Sequence, residues 1–136
     1  MRFALDTNII SYLWRHEFNV RAKLEGVDPE KVAVPAVVLA EFVFGRPNNT
    51  AVSGKLEVLI QDLRDAYPVL DFNASAADWD GLLKARLKAQ PVPDRDLMIA
   101  ATCLAHGCVL VTHNGKDFER IKESKVVDWA SSNDEN

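Results

Sequence analysis

The sequence predicts an α/β fold, with one domain built on a central, largely parallel β-sheet flanked by helices. Strand-like apolar runs alternate with helical patterns along the chain, which is typical of βαβ units. The 136 residues fit one domain and can bury a core without disulfides or a structural metal. Hydrophobic residues make up 48% and charged residues 26%, as in ordinary globular proteins. We expect the domain to span residues 1–130 and the polar tail at 131–136 to be disordered.

The predicted strands are short apolar runs, and helical stretches separate them. The strands are RFALD (2–6), KVAVP (31–35), PVLDF (68–72), CVLVTH (108–113) and KVVDW (125–129). The helical stretches are TNIISYLWR (7–15), AVVLAEFVFG (36–45), residues 50–66, a long run after PVLDF, and DLMIAATCLAHG (96–107).

Glycine, proline and asparagine mark the predicted ends of these elements. Gly45 with Pro47 indicates the end of one helix, and Gly107 indicates the end of another. The Asn114-Gly115 pair predicts a turn after the fourth strand.

Charge and hydropathy restrict the partners and the location. The net charge of −4 argues against a protein whose whole surface binds nucleic acid non-specifically. A local basic patch remains compatible with that charge, and its candidate residues are Arg15, Arg21, Lys23, Lys84, Arg86 and Lys88. The N-terminal run reaches Asp6 too early for a signal peptide, and no run approaches transmembrane length, so we expect a cytoplasmic protein that binds no membrane. Cys103 and Cys108 lack metal-ligand spacing, and we expect buried thiols.

Asp6 follows the first strand directly and precedes a helical run. It therefore lies at the carboxyl end of a strand, the edge of an open α/β sheet where ligands bind. Asp, Thr and Asn are also good helix N-caps, and on its own the Asp6-Thr7-Asn8 segment is better explained by capping.

Two further acids lie within apolar helices. Glu41 interrupts a helix so apolar that it should be covered on most sides, so Glu41 faces either a solvated stripe or a polar cavity. Asp96 lies near a helix N-terminus, where the helix dipole alone accounts for an acid. However, Asp94 is the expected cap of that helix, and two acids exceed what capping requires.

Three carboxylates gathered at one sheet edge would repel each other unless a cation lay between them. Ligand sets of oxygen alone select Mg²⁺ or Mn²⁺ over zinc, and His16, His106 and His113 do not have zinc-site spacing. Such an ion lowers the pKa of a bound water and neutralises charge on a phosphate. The pattern therefore favours phosphoryl chemistry.

Five segments in order resemble the PIN-domain ribonucleases, and within them the VapC toxins of bacterial toxin-antitoxin pairs. The segments are LDTNI, LAEFVFG, PVPDRDLMIAA, VLVTHNGKDFERI and VVDW. Each segment alone is weakly diagnostic, but together they extend over nearly the whole chain at the family's spacing. The resemblance implies a PIN-like fold. One departure is Pro93, where many relatives have glycine.

The resemblance implies the roles of individual residues. Asp6, Glu41 and Asp96 match the family's metal-binding, catalytic acids. Asp117 is carried over as the nearest carboxylate to a fourth acidic position that varies among relatives. Four polar residues would support the acids: Thr7, Asn8, Thr112 and Asn114.

The function implied is that of a toxin, a Mg²⁺- or Mn²⁺-dependent endoribonuclease that cuts RNA, tRNA among the candidates, with metal-activated water and so inhibits translation and growth. The implied partners are the RNA, a VapB-type antitoxin and a second copy of the chain in a homodimer. The antitoxin would present an arginine to the acids, and Phe42, Val43, Phe44 and the Trp14 helix are candidates for its groove.

Other classes of protein fit the sequence less well. A haloacid-dehalogenase phosphatase needs a second aspartate two residues after the first, where this chain has Asn8. A serine hydrolase needs a G-x-S-x-G elbow, which is absent. A housekeeping PIN nuclease and a non-catalytic RNA-binding adaptor are the remaining alternatives, although an adaptor would be expected to lack one of the three acids. Trp14 and Trp79 could face RNA, but such residues more often lie in a core or an interface.

Overall fold

The computed structural model describes the backbone of residues 1–44 and 50–130, and all of their side chains except those of residues 50–52. Its strands are β1 (Arg2–Leu5), β2 (Val32–Pro35), β3 (Val69–Leu70), β4 (Cys108–Val111) and β5 (Val126–Val127). They form one sheet in the order β3-β2-β1-β4-β5, and every neighbouring pair is parallel. The predicted α/β fold with a parallel sheet is confirmed.

Helices connect and cover the strands. They are α1 (Thr7–Arg15), α2 (Val20–Glu25), α3 (Ala36–Phe44), α4 (Thr50–Ala66), α5 (Ala74–Arg86) and α6 (Asp94–His106). Short 3₁₀ helices lie at Pro29–Lys31 and Gly115–Phe118. The predicted helices are present, and α2 is an addition that the apolar pattern did not indicate. Among the described residues, no helix is both long and apolar enough to cross a membrane.

The observed helix ends agree in part with those predicted from the sequence. Gly107 ends α6 in the left-handed conformation, with φ of 66°, as predicted. The expectation that Asp94 caps α6 was wrong: Asp94 is its first helical residue, and Pro93 occupies the cap position without a side-chain hydrogen bond. The turn at Asn114-Gly115 takes the form of the second 3₁₀ helix. The predicted stop at residues 45 and 47 and the tail at 131–136 lie outside the described residues.

The core lies on both faces of the sheet. Every residue of β2 and β4 is buried, as expected where helices cover a parallel sheet on both sides. Large aliphatic side chains such as Ile9, Ile99 and Leu110 are fully buried, and burial of each contributes about 1.5–3 kcal/mol. Cys103 and Cys108 are free buried thiols, as predicted, and burial raises the pKa of both.

The strand order places a crevice between β1 and β4. The chain adds β2 and β3 on one side of β1, and then adds β4 and β5 on the other side. At such a switch point the connections leave in opposite directions, so a crevice opens beyond the carboxyl ends of the two strands. The backbone N–H of Asp6 donates to the carbonyl of Val111 over 2.9 Å, which joins the ends of β1 and β4 at this point.

Candidate active site

Asp6 lies at the base of the crevice. The residue is 2% exposed, and its side chain accepts two hydrogen bonds of 2.7 Å, from the backbone N–H of Thr7 to Oδ1 and from the hydroxyl of Thr112 to Oδ2. The bond from Thr7 makes Asp6 the N-cap of α1, so the capping interpretation is correct. Its second oxygen is held by Thr112, the residue that follows β4, and capping does not require that contact.

Thr112 connects the polar residues expected to support the acids. Its buried hydroxyl donates to Asp6 and accepts from the backbone N–H of Asn114 (3.1 Å) and from Nδ2 of Asn8 (3.3 Å). The Oδ1 of Asn8 accepts from the backbone N–H of His113 over 3.1 Å. The loop after β4 is therefore fixed to the start of α1 by side-chain hydrogen bonds.

Glu41 faces the same crevice from α3. Its side chain is 24% exposed; Oε1 accepts a 2.8 Å bond from the hydroxyl of Thr7, and Oε2 accepts a 2.5 Å bond from Arg95. Of the two interpretations of Glu41, the partly enclosed polar site is the one observed. The expectation that α3 is covered on most sides was wrong, because only Val38 and Phe42 are buried in it and Phe44 is 94% exposed.

Asp96 lies in the first turn of α6, and Arg95 connects it to Glu41. The Asp96 side chain is buried, and its Oδ1 accepts a 2.7 Å bond from the second guanidinium nitrogen of Arg95. Arg95 thus forms an ion pair with one acid on α3 and one on α6. Asp117 lies nearby in the first turn of the second 3₁₀ helix, with an exposed side chain.

Burial and mutual repulsion destabilise the charged forms of the two buried acids. Burial raises the pKa of Asp6 above its usual value, against the lowering effects of the bonds from Thr112 and Thr7. Burial likewise raises the pKa of Asp96 and outweighs the nearby charge of Arg95. The charge of Glu41 adds to the rise at Asp6, and the charges of Asp117 and Asp6 add to the rise at Asp96. Asp6 is therefore within electrostatic range of Glu41 and of Asp96, and Asp96 is within range of Asp117.

The donor chemistry of these residues suits a hard divalent cation, because all of them offer carboxylate oxygens. Within residues 1–44 and 50–130, however, no three His, Cys, Asp or Glu side chains are close enough to hold an ion together. The guanidinium of Arg95 pairs with two of the acids instead. A bound cation would neutralise the charges of Glu41 and Asp96, as the guanidinium of Arg95 does here.

Arg95 is the residue that sequence reasoning missed at this site. It stands between Asp94 and Asp96 in the PDRD segment, and a cation flanked by acids usually indicates a solvated surface. The proposed basic patch also needs correction. Some of its members are already paired with acids: Arg15 with Glu17, Lys84 with Asp80 and Asp94, and Arg86 with Glu123.

A model of the PIN domain matches residues 3–124. The chain is also 31% identical over 133 residues to the tRNA(fMet)-specific endonuclease VapC of Shigella flexneri, which covers 96% of this chain and 99% of that protein. The chain belongs to the PIN-domain family of VapC proteins. The resemblance drawn from the five segments is therefore confirmed. Ribonuclease VapC1 of Haemophilus influenzae strain R2866 is 29% identical over 134 residues, 95% of this chain and 98% of that protein.

Solved structures of VapC relatives have the same fold. VapBC2 from Rickettsia felis, bound to a DNA fragment from its promoter, matches with a TM-score of 0.84 at 27% identity, covering 95% of this chain and 99% of that chain. DNA-bound VapBC from Salmonella typhimurium matches with a TM-score of 0.82 at 30% identity, covering 95% and 98%. The α/β architecture of this chain is thus that of the VapC family over nearly its whole length.

Proposed function

We propose that this VapC-family chain is a Mg²⁺- or Mn²⁺-dependent endoribonuclease that acts as the toxin of a toxin-antitoxin pair. The observation that carries the proposal is the cluster of acids at the switch point of the sheet, where Asp6 and Asp96 are buried and Glu41 shares Arg95 with Asp96. Relatives named as a tRNA(fMet)-specific endonuclease and as ribonucleases support the same reaction class.

Asp6, Glu41 and Asp96 would hold the ion, with Asp117 at the exposed rim as a fourth carboxylate. The raised pKa values of Asp6 and Asp96 support this assignment, since a cation relieves the repulsion and desolvation that cause them. When bound, a divalent ion supplies a water of lowered pKa and neutralises charge on a phosphate.

The remaining residues of the crevice position the acids. Thr7 and Thr112 orient Glu41 and Asp6 by hydroxyl hydrogen bonds, while Asn8 and the backbone of Asn114 fix Thr112. Preorganised carboxylates lose little entropy when they bind an ion or a substrate. Arg95 would turn its planar fork toward an RNA phosphate once the acids are otherwise neutralised, since that fork matches phosphate geometry.

The RNA that we propose as substrate is a tRNA, acted on in the cytoplasm, where tRNA functions in translation. The tRNA(fMet) named for the Shigella relative supports this class of RNA. Cleavage of a tRNA would inhibit translation and growth, which fits the role of a toxin.

A VapB-type antitoxin and a second copy of the chain are the proposed protein partners, and the VapBC structures support the first of them. Val43 and Phe44 are exposed on α3. Phe42 is buried, so it cannot line the predicted groove. A second apolar groove, about 460 Å³ in volume, runs beside Leu13, Trp14 and Leu63. Apolar grooves of this kind accept amphipathic helices. An arginine of the partner would have to displace Arg95, which already pairs with Glu41 and Asp96.

The test of activity is cleavage of purified tRNA with Mg²⁺ or Mn²⁺, followed by analysis of the RNA ends. Attack by water leaves 5′-phosphate ends, whereas attack by a 2′-hydroxyl leaves a cyclic phosphate. Asp6→Asn should abolish cleavage, and Asp65→Asn, at an exposed acid on α4, is the matched control that should not. Full activity in excess EDTA would refute the metal requirement.

The test of the toxin role is expression in growing cells. The wild-type chain alone should arrest growth, and coexpression with the adjacent small open reading frame should restore growth and yield a stable complex. A chain that cleaves RNA but is harmless alone would be a housekeeping nuclease of the same family, and the toxin role would be rejected.

A further inference from the structure

Three rings form an aromatic cluster beside the crevice, which we call the aromatic platform: Tyr12 of α1, Phe18 of the following loop, and His113 after β4. The Phe18 ring meets the Tyr12 ring at a centroid distance of 4.7 Å and an interplanar angle of 64°. The His113 ring lies 5.6 Å from Tyr12 and 5.9 Å from Phe18, inclined by 26° to the latter. Phe18 is 52% exposed, so part of its ring is open to solvent.

The loop that carries Phe18 has an unfavourable backbone. Phe18 has φ of 57°, and the nearby residues His16 and Asn19 have φ of 56° and 60°. Positive φ is uncommon outside glycine, and for a bulky residue such as phenylalanine it costs free energy. Strain of this kind clusters at functional sites, where the surrounding structure holds it in place. Here the strained loop holds a large apolar ring at the surface instead of burying it.

Hydrogen bonds connect the platform to the carboxylate that follows β1. The backbone N–H of His113 donates to Asn8, Asn8 donates to Thr112, and the hydroxyl of Thr112 donates to Asp6. On its other side, Nδ1 of His113 lies 2.9 Å from Oδ2 of Asp128, which fixes the plane of the ring. These bonds hold His113, and with it one edge of the platform, beside the proposed site of phosphodiester cleavage.

We propose that the platform stacks one unpaired nucleobase of the RNA, in a nucleotide next to the scissile phosphate, with Phe18 as its main contact. This inference rests on the proposed nuclease function. Bases of single-stranded RNA stack on aromatic side chains, and such stacking accepts any base because every base has a π-face. The guanidinium of Arg15, 5.9 Å from the centre of the Tyr12 ring, adds positive charge beside the platform, although Glu17 shares it.

An RNA base fits this surface better than a protein helix does. The platform consists of rings and the adjacent charges of Arg15, Glu17 and Asp128, not of a continuous apolar groove. The groove beside Trp14 and the exposed end of α3 offer such apolar surfaces elsewhere. The alternative is that a protein partner docks on Phe18, and the experiment distinguishes this from stacking of an RNA base.

The experiment compares Phe18→Leu, which keeps apolar bulk but removes the π-face, with Phe18→Trp, which keeps a π-face. Leu82→Ala, at an exposed apolar residue of α5, is the control for loss of surface hydrophobicity. Binding of a short single-stranded oligoribonucleotide containing 2-aminopurine is measured in EDTA, where stacking quenches the fluorescence of that base. Cleavage kinetics with Mn²⁺ and melting temperatures are recorded for the same proteins.

Phe18→Leu should lose the quenching, bind the oligoribonucleotide more weakly and lower kcat/KM by roughly 5- to 150-fold, mainly through KM, at an unchanged melting temperature. Phe18→Trp should remain close to the wild type, and so should Leu82→Ala. If Phe18→Leu binds and cleaves RNA like the wild type, the platform does not contact RNA, and weaker antitoxin binding by that variant would assign it to a protein partner. If the wild type cleaves no RNA, the proposed nuclease function fails, while the quenching in EDTA still decides whether a base stacks on Phe18.

Discussion

The hydroxyl of Thr112 donates a 2.7 Å hydrogen bond to Oδ2 of Asp6, which joins the first residues after the neighbouring strands β1 and β4. Both side chains are buried, and Thr112 also accepts from Asn8 and Asn114. The bond is therefore at the centre of the polar network that shapes the crevice.

Thr112→Val should lower the free energy of unfolding by about 1–3 kcal/mol, because it leaves buried polar groups without a partner. It should also raise the pKa of Asp6 further, since the Thr112 bond lowers that pKa. Thr112→Ser keeps the hydroxyl and should be less harmful. The control is Thr102→Val: Thr102 is equally buried, but its hydroxyl donates only to the Met98 carbonyl in its own helix. Equal midpoints of urea unfolding for the two valine variants would show that the bond to Asp6 contributes nothing.

Arg95 should compete with a metal ion for Glu41 and Asp96. Arg95→Met removes the positive charge and retains an unbranched side chain, so Mn²⁺ should bind more tightly, by at least about fivefold, which equals about 1 kcal/mol. Calorimetric titration of Mn²⁺ measures this without reference to activity. Arg64→Met removes the same charge from the exposed surface of α4 and should change the affinity little. Weaker binding by Arg95→Met would mean that Arg95 positions the acids for the ion and does not replace it.

The fold and the location of Asp6 could be predicted because both depend on local pattern. Apolar runs located β1 and β4, and a residue that directly follows a parallel strand lies at the sheet edge, so the place of Asp6 followed. The bridge by Arg95 could not be predicted, because Glu41 is 54 positions away and meets Arg95 only after α3 and α6 are packed.

The sequence pattern also did not indicate that part of α3 is exposed or that the backbone is strained at Phe18. The apolar run of α3 indicates that a surface is covered, but it does not distinguish a core from a partner chain, and Phe44 is exposed. Phe18 has a positive φ although it is not a glycine, and its ring contacts Tyr12 and His113, of which His113 is far away in the sequence. The platform therefore became visible only in the structure.

The ends of α1 and α6 offer a matched test of helix capping. His16 and Gly107 both occupy the left-handed position after their helices, with φ of 56° and 66°. His16→Gly should stabilise the protein and Gly107→Ala should destabilise it, each by about 1 kcal/mol, because only glycine adopts this conformation freely. No atom lies within 4 Å of a Cβ added at Gly107, so the cost there is conformational. Gly26→Ala, at a cap with φ of −81°, is the control and should cost nothing in thermal unfolding.

Neutralising the acids should separate stability from activity. Asp6→Asn, Glu41→Gln and Asp96→Asn should each abolish cleavage, while Asp117→Asn, at the exposed rim, should reduce it less. Removal of one crowded negative charge relieves repulsion, so Asp6→Asn and Asp96→Asn should fold as stably as the wild type or slightly more so in EDTA. A variant among the first three that keeps wild-type turnover would show that its residue does not bind the metal.

The pH dependence of stability gives an independent check, because the pKa values of Asp6 and Asp96 are both raised above 3.8 in the folded protein. At pH values between the unfolded and folded pKa values, the folded state binds more protons than the unfolded state does. The contribution of these acids to stability is thus fully present below the unfolded pKa and is lost as pH rises through the folded pKa. Urea unfolding in EDTA across that range should show a smaller decline for Asp6→Asn than for the wild type, and Asp65→Asn should follow the wild type. A decline in Asp6→Asn as steep as in the wild type would mean that the buried position of Asp6 does not disfavour its charge.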